Sequence, residues 1–325
     1  MIEILSSGAL NAVQDLGRHG HLNIGVSRSG AMDSLALSSA NLLVGNDEAA
    51  AGIEVNLFPF RLRFQSETRF ACTGADALLK LEGRVMAPWW SRTARAGQTL
   101  VIEPPRRGVR SYLAFAGGID VPLVMGSRST DLKSGFGGLE GRGFRRGDVL
   151  PLGRDANALV PRHAVGILPR DLGAFWRELS ERCMTIRVLP AAEYEQFSDS
   201  ARAAFGTVAY EVTRESNRMG YRLAGEPLAL KQALELFSHG IVPGTVQVPP
   251  SGQPIIQLAE ANTCGGYPKI ATIIEADLWR LAQASVGSRV RFEVVQADLA
   301  LAALRQQAQE RTTLGRNLAL AAMRR

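Results

Sequence analysis

The chain has 325 residues, 46% of them hydrophobic and 21% charged, which is typical of an ordinary soluble globular protein, and its length predicts two domains or one large duplicated unit. The net charge of +6 is dispersed and no basic run is interleaved with aromatic residues, so we expect no nucleic-acid partner. No stretch approaches the roughly 18 uninterrupted apolar residues of a membrane span, so we expect a cytoplasmic protein with no membrane partner.

The first predicted strand, Met1 to Leu5, leads into a polar loop over residues 11–33 that is interrupted by glycines. This pattern predicts a loop that supports chemistry, and its candidate residues are Gln14, Asp15, Arg18, Ser29 and Asp33. Asp33 also suits the N-cap of a helix through Leu35 and Val44 that stops at Gly45. His19 and His21 lack a third ligand at useful spacing, so we predict no metal site.

Short alternating runs from Gly52 to Gly108 predict a barrel or a sandwich of strands. The Gly-rich segment 135–147 matches neither of the common nucleotide-binding glycine patterns, which makes a phosphate cradle there a weak hypothesis. Strand character is lost between Arg154 and Val165, which predicts a boundary near residue 160 and an N-terminal β-rich domain over residues 1–160.

A C-terminal β-barrel domain is predicted over residues 161–296. Helical spacing marks residues 170–182 and 275–284, and strands are predicted at 185–189 and 208–212. Residues 289–294 alternate like an edge strand. The tail over residues 297–325 is rich in Ala, Leu and Arg, and it is predicted to be helical or disordered.

The stretch 241–271 carries two short predicted strands, 245–248 and 255–258, separated by a Pro-rich turn. Polar residues and a Gly pair follow the second strand, which indicates either a ligand site built on loops or a hairpin whose polar groups are only solvated. The three cysteines are too few and too widely spaced for a disulfide framework or a zinc site. Cys264 is therefore expected to be a small buried thiol.

Several motifs, in order from about residue 5 to 295, carry a resemblance to a known family. They are QDLGRHG (14–20), GVSRSGAMD (25–33), ANLLVGN (40–46), YLAFAGGIDVP (112–122), GSRSTDL (126–132), SNRMGYRL (216–223), VPPSGQPI (248–255) and GGYPKIA (265–271). The chain resembles the family of the 5-oxoprolinase C subunit, which is also described as allophanate hydrolase subunit 2-like or biotin-dependent carboxyltransferase. It is similar to part of the carboxyltransferase region of urea amidolyase.

The resemblance implies a mostly β fold of two barrel-like units with cyclophilin-like character. It implies a component of an ATP-dependent hydrolase that opens the C–N bond of 5-oxoproline to give glutamate, with ATP supplied through the complex. The implied partners are a protein like the 5-oxoprolinase B subunit, itself allophanate hydrolase subunit 1-like, and a lactam-opening protein like the A subunit. One alternative is the carboxyltransferase subunit of a biotin-dependent urea carboxylase, and another is a regulatory protein that binds a histidine-kinase inhibitor.

Both candidate substrates present a planar N–C=O group whose resonance makes it unreactive, so a site must polarise the oxygen, move a proton and bind an anion. The candidate catalytic residues are Glu260 as acid or base, Lys269 near a developing oxyanion, and Asp15 and Asp33. The candidate substrate-binding residues are Arg218, Asn217, Gln247, Gln253, Tyr267, Gln14, Arg18 and Ser29. The candidate cofactor-binding residues are Gly265, Gly266 and Arg128.

Each assignment has a structural alternative, since Asp33 could only cap a helix, Arg218 could only pair with a carboxylate and Tyr267 could only pack. The functional hypothesis predicts that the polar segments near residues 15–33, 217 and 247–269 meet at a common cleft.

Overall fold

The computed structural model describes residues 1–155 and 163–323, and the chain divides into two compact units. The first unit comprises Met1–Arg18, Ser29–Leu172 and Gln309–Arg325, and the second comprises His19–Arg28 and Gly173–Ala308. The predicted domain boundary near residue 160 lies outside the described residues. The predicted mostly β fold is confirmed.

The strands of the first unit form two sheets. In chain order they are β1 (Ile2–Ser6), β2 (Ala12–Gln14), β3 (Gly52–Val55), β4 (Phe60–Phe64), β5 (Thr68–Gly74), β6 (Leu79–Leu81), β7 (Arg84–Met86), β8 (Trp90–Ala94), β9 (Thr99–Ile102), β10 (Ser111–Phe115) and β11 (Val149–Leu150). In the described residues, one sheet has the order β11-β1-β4-β9-β6-β7 and the other β2-β3-β10-β5-β8. The paired strands of these two sheets are antiparallel.

The core of the first unit lies between its two sheets. Strand β4 alternates strictly, with Phe60, Leu62 and Phe64 fully buried and the intervening arginines exposed. These side chains share one apolar cluster with Phe70 and Leu113 of the other sheet. The strands predicted between Gly52 and Gly108 therefore form a sandwich, the second of the two predicted arrangements.

Helix α1 (Ser34–Val44) covers the opposite face of the five-stranded sheet. Its Leu43 packs in one apolar cluster with Ala71 of β5 and Ala114 of β10. Because this sheet is buried on both faces, β10 is apolar or buried at every position and shows no alternation. The predicted helix and its stop are confirmed, since α1 ends at Gly45, which has a left-handed φ of 82°.

The second unit contains a closed barrel. Its strands are β12 (Cys183–Pro190), β13 (Ala209–Val212), β14 (Gly220–Ala224), β15 (His239–Gly240), β16 (Thr245–Gln247), β17 (Ile255–Gln257), β18 (Cys264–Gly265), β19 (Lys269–Ile273) and β20 (Arg289–Val294). The barrel order is β12-β19-β16-β17-β14-β13-β20, and the parallel pairing of β12 with β20 closes it. The prediction of β20 as an edge strand is therefore wrong, because β20 pairs with both β12 and β13. Outside the barrel, β15 and β18 pair as a two-stranded ribbon, hereafter the ribbon.

The remaining helices are α2 (Leu172–Glu181), α3 (Asp199–Thr207), α4 (Leu278–Leu281) and α5 (Ala297–Met323), with 3-10 turns at Leu22–Ile24, Tyr194–Gln196 and Glu275–Asp277. Of the two alternatives predicted for the tail, the described part is helical. None of the described helices meets both requirements for spanning a bilayer, a run of about 18 residues and an apolar composition.

Candidate functional site

The outer face of three neighbouring barrel strands carries polar side chains. Tyr221, Val246 and Ile256 lie side by side on β14, β16 and β17 and are almost completely buried. Because side chains alternate along a strand, the residues next to these three face the other way, away from the barrel core. Gln247 and Gln257 are two of these neighbours.

A cavity of about 260 Å³ lies against this outer face. Its volume suits a metabolite-sized ligand, since sites for drug-sized molecules are roughly 300–1,000 Å³. Five residues predicted from the sequence line it, namely Asn217, Gln247, Gly265, Gly266 and Tyr267. The structure therefore brings the 217 loop, strand β16 and the Gly pair together at one cavity within the second unit.

Two glutamine side chains that line this cavity are hydrogen-bonded to each other. The Nε2 of Gln257 donates to the Oε1 of Gln247 over 2.9 Å. Gln247 is only 4% exposed, and its own Nε2 is buried with no hydrogen-bond partner among the described residues. The ribbon lies against this nitrogen, because a Cβ added at Gly265 would overlap it.

Arg218 and Glu260 form a buried ion pair. The Nε of Arg218 lies 2.7 Å from Oε1 of Glu260, and the two side chains are 8% and 5% exposed. The backbone N–H of Glu260 also donates to the Arg218 carbonyl, so the pair ties the loop before β14 to the loop after β17. In the part of the chain that the structure describes, neither residue lines the cavity. Their predicted roles in catalysis and substrate binding stay predictions.

The ammonium group of Lys269 is held by Glu193 and His239. Its Nζ lies 2.8 Å from Oε2 of Glu193, which also accepts the Lys269 backbone N–H at 3.0 Å. Lys269 Nζ also contacts Nε2 of His239, whose Nδ1 lies 2.9 Å from the Phe237 carbonyl oxygen. A proton on Nδ1 would satisfy that carbonyl and leave Nε2 as an acceptor for the ammonium.

The environment of Glu193 shifts its ionisation. Burial acts to raise the pKa of Glu193, but the hydrogen bonds from Lys269 and the charge of Lys269 outweigh burial and hold that pKa below its ordinary value of 4.5. Lys269 therefore pairs with a partly buried carboxylate in this structure. Its role near an oxyanion stays a prediction.

The remaining candidates of the second unit differ in their contacts. Asn217 closes a local turn, since its Oδ1 accepts the Met219 N–H at 2.8 Å. Gln253 pairs through both ends of its amide with the backbone of Gly225, at 2.8 and 3.1 Å. Tyr267 is 47% exposed and lines the cavity. Of these three, Asn217 and Tyr267 are placed where a ligand could meet them.

In the first unit, the Asp15 carboxylate organises a loop. Its Oδ1 accepts from Gly17 N and Ser127 Oγ, both at 2.7 Å, and also from Ser129 Oγ. Its Oδ2 accepts the backbone N–H of Arg128 at 2.6 Å. These donors occupy both oxygens, so Asp15 fixes the loop 127–129 against the end of β2.

Arg18 and Gln14 bind the backbone of the same loop. One terminal nitrogen of Arg18 donates to the Ser129 carbonyl at 2.6 Å, and its guanidinium stacks on the Phe136 ring 4.6 Å from the centroid. Gln14 Nε2 donates to the Thr130 carbonyl at 3.1 Å. Both side chains are buried and bind backbone carbonyls, so both support the loop.

Asp33 caps helix α1, as its structural alternative predicted, since its Oδ1 accepts the Ala36 N–H at 2.8 Å. Its own backbone N–H donates to the Tyr112 hydroxyl, which donates to Glu54. Burial, followed by the charge of Glu54, raises the pKa of Tyr112 well above its ordinary value. Ser29 of the first unit is buried, and its backbone has a positive φ of 51°, in the left-handed region.

The predicted cofactor-binding residues belong to different units. Arg128 is in the first unit, where Nε donates to the Val121 carbonyl at 2.8 Å and a terminal nitrogen lies 3.1 Å from Asp120. Gly265 and Gly266 are in the second unit, on the cavity wall. Asp15 and Arg218 are likewise divided between the units, so the predicted common cleft stays a prediction.

The Gly-rich segment 135–147 does not fit a nucleotide site. A Cβ added at Gly141, where φ is +68°, would overlap the carbonyl of Gly135, so glycine is needed there for the close packing of the chain on itself. No helix begins in this segment to bind a phosphate at its N-terminus. Among the described residues, no cluster of three His, Cys, Asp or Glu side chains could hold a metal ion.

Comparison with known proteins identifies the family. Residues 24–294 match the family described as carboxyltransferase domain, subdomain A and B. The chain belongs to this family.

Members and relatives of the carboxyltransferase domain family show how far the similarity extends. The chain is 44% identical to the 5-oxoprolinase C subunit of Escherichia coli K12, and the match covers 96% of both chains. It is 32% identical to the urea amidolyase of Saccharomyces cerevisiae, over 90% of this chain but 16% of the relative. The structure of the Kluyveromyces lactis urea carboxylase superposes with a TM-score of 0.86 at 28% identity, covering 96% of this chain and 29% of that one.

Several residues of the site were not among those predicted from the sequence. Gln257 and Arg222 line the cavity, and an alternation argument applied to β17 and β14 could have indicated them. Glu193 and His239 are distant in sequence from Lys269, so no local pattern links them. The expectation that Cys264 is buried is wrong, because the thiol is exposed on the short ribbon and lines the cavity.

Proposed function

We propose that the chain is the C subunit of an ATP-dependent 5-oxoprolinase, a hydrolase that opens the cyclic amide of 5-oxoproline to glutamate. The observation that carries this proposal is the 44% identity to the Escherichia coli 5-oxoprolinase C subunit over 96% of both chains. The similarity to urea amidolyase is lower and covers only 16% of that protein. A match that covers 96% of both chains supports the same role in a complex better than a match to one part of a longer enzyme.

The proposed substrate site is the cavity of the second unit. A lactam is unreactive because its nitrogen shares electrons with the carbonyl, and donors at the carbonyl oxygen weaken that resonance. The wall offers side-chain amides from Asn217 and Gln247 and the Tyr267 hydroxyl. These groups would bind and orient the amide.

Partner subunits complete the proposed enzyme. The relatives are named as the C subunit of 5-oxoprolinase, which supports a complex with proteins like its A and B subunits in the cytoplasm. ATP would act through those partners, because the Gly-rich segment of this chain packs on itself.

A second candidate is the carboxyltransferase subunit of a biotin-dependent urea carboxylase. The family description and the TM-score of 0.86 to the Kluyveromyces lactis urea carboxylase favour it. In that case partners would bring the carboxylated biotin, and the amide groups of the cavity would face urea.

The test is turnover by the complex copurified with its partner subunits. We expect 5-oxoproline to stimulate both ADP release and glutamate formation, and Gln247→Ala to lower kcat/KM by about tenfold, the loss of roughly 1.4 kcal/mol. Gly206→Ala in helix α3 is the control, since a Cβ there meets nothing within 4 Å and Gly206 does not line the cavity. Stimulation by urea with bicarbonate and biotin, and none by 5-oxoproline, would replace the first proposal with the second.

A further inference from the structure

The unused donor of Gln247 is the polar group of the cavity that most needs explanation. Its side chain is 4% exposed, and Nε2 has no hydrogen-bond partner among the described residues. Buried polar groups in folded proteins are nearly always paired, because leaving one unpaired loses its hydrogen bonds to water without replacement. A buried donor beside a cavity indicates a ligand that supplies the acceptor.

Gln257 determines which end of the Gln247 amide is unused. Its Nε2 donates to Gln247 Oε1 at 2.9 Å, which occupies the oxygen and leaves the nitrogen. Gln257 sits two residues beyond Ile255, the direct cross-strand neighbour of Gln247, so the two amides meet diagonally across β16 and β17. The geometry makes Gln257 a positioning residue for a hydrogen-bond donor.

The ribbon is the part of the wall next to this donor. The side of Gly265 on which a Cβ would stand faces Gln247 Nε2, so backbone alone lies against it. The ribbon has two residue pairs, His239 with Gly265 and Gly240 with Cys264. One further backbone bond, from the Ile241 N–H to the Thr263 carbonyl at 3.0 Å, adjoins these pairs. Three backbone-paired positions give a segment less resistance to displacement than a longer sheet has, and the His239 end is held by its contact with Lys269.

We infer that the cavity recognises its ligand through a planar carbonyl oxygen that accepts from Gln247 Nε2, that Gln257 orients this donor, and that the ribbon yields to admit the oxygen. The inference rests on the proposed function, which supplies a lactam as the ligand. It adds the atom of the lactam that is recognised and the residue that selects it.

The probes are 5-oxoproline and cyclopentanecarboxylate, which share an uncharged five-membered ring and a carboxylate, and only the first carries the lactam carbonyl. Binding to the full chain is measured by equilibrium dialysis without ATP, alone and in the copurified complex. One hydrogen bond predicts that wild type prefers 5-oxoproline by about 5- to 10-fold. Equal binding of the two probes, or binding of neither, would overturn the inference.

Variants test the donor through this preference ratio, which general damage to the fold would leave unchanged. Gly265→Ala displaces the Gln247 amide, and Gln257→Glu offers it an acceptor that turns Nε2 away from the ligand. Both should lower the ratio to near one, whereas Gly206→Ala in helix α3 should retain it, because its Cβ meets open space and Gly206 does not line the cavity. A ratio that stays at the wild-type value in Gly265→Ala would overturn the inference.

Failure of the inference and failure of the proposed function give different results. A complex that turns over 5-oxoproline, with no preference over cyclopentanecarboxylate in binding, retains the function and loses the inference. A preference that depends on Gly265 and Gln257, in a complex without 5-oxoproline-dependent ADP release, retains the recognition of a carbonyl and loses the function.

Discussion

The buried ion pair of Arg218 and Glu260 allows a structural role for Glu260 to be separated from a catalytic one. The two side chains are 8% and 5% exposed and the paired atoms are 2.7 Å apart. Removing one partner of a buried pair costs up to about 3–5 kcal/mol, because the other charge loses its counter-charge while it stays buried. We expect Glu260→Ala to lower the free energy of unfolding by that amount. Glu260→Gln retains an acceptor oxygen for Arg218 but not the negative charge, so it should cost less than Glu260→Ala, about 1.5–3 kcal/mol.

Urea unfolding followed by tryptophan fluorescence measures this cost, since Trp176 and Trp279 belong to the same unit as the pair. With a slope of about 2 kcal/mol per molar urea, the Glu260→Ala midpoint should fall by about 1.5–2.5 M. Glu215→Ala is the matched control, because its carboxylate is 77% exposed and lies 3.5 Å from Arg222. An exposed pair contributes about 0–1 kcal/mol.

The opposite pattern would refute the structural account. If Glu260→Ala leaves the midpoint at the wild-type value and abolishes turnover by the complex, Glu260 acts as an acid or base and the pair does not hold the fold. A fall in the midpoint to the same extent in Glu215→Ala would show that burial does not decide the cost.

Two further predictions concern acid stability and helix capping. The folded chain holds the pKa of Glu193 below its ordinary value of 4.5, so its ion pair with Lys269 stabilises the fold above that value and is lost as the pH falls through the lowered pKa. Between about pH 5 and 3, Glu193→Gln should therefore lose less stability than wild type in urea titrations, and equal losses would contradict this. Asp33→Ala should cost about 0.5–2 kcal/mol in thermal unfolding and Asp33→Asn close to nothing. Loss of turnover in a stable Asp33→Asn variant would instead indicate catalysis.

The sequence predicted those helices and strands whose ends are determined by residues close to them in the chain. Asp33 and Gly45 bound α1 because a side-chain acceptor and a left-handed glycine are needed at its two ends. Strands β16 and β17 followed from apolar residues around a Pro-rich turn, and they pair with each other as expected. The sequence could not predict the closure of the barrel. Residues 289–294 alternate because one face is buried, and that pattern is the same in an edge strand and in a barrel strand.

Partners distant in the sequence were the part of the site that could not be predicted. Asp15 binds groups more than 110 residues away, and the backbone N–H of Lys269 binds Glu193 across 76 residues. Polar residues on loops indicate that a site exists, but only the fold decides which of them bind each other. In the structure, Asp15, Arg218 and Glu260 bind other groups of the protein. Gln247 has a buried Nε2 with no hydrogen-bond partner among the described residues.

The cavity also bears on how a lactam with a carboxylate would be distinguished from urea. Both molecules would present a carbonyl oxygen to Gln247, so that donor would serve either chemistry. Arg222 lines the same cavity and is held by Glu215 at 3.5 Å, with both side chains largely exposed. Because such a pair is worth about 0–1 kcal/mol, a ligand carboxylate can take the place of Glu215 at little cost. Urea has no carboxylate for Arg222 to bind, and we expect selection of 5-oxoproline to depend on this arginine.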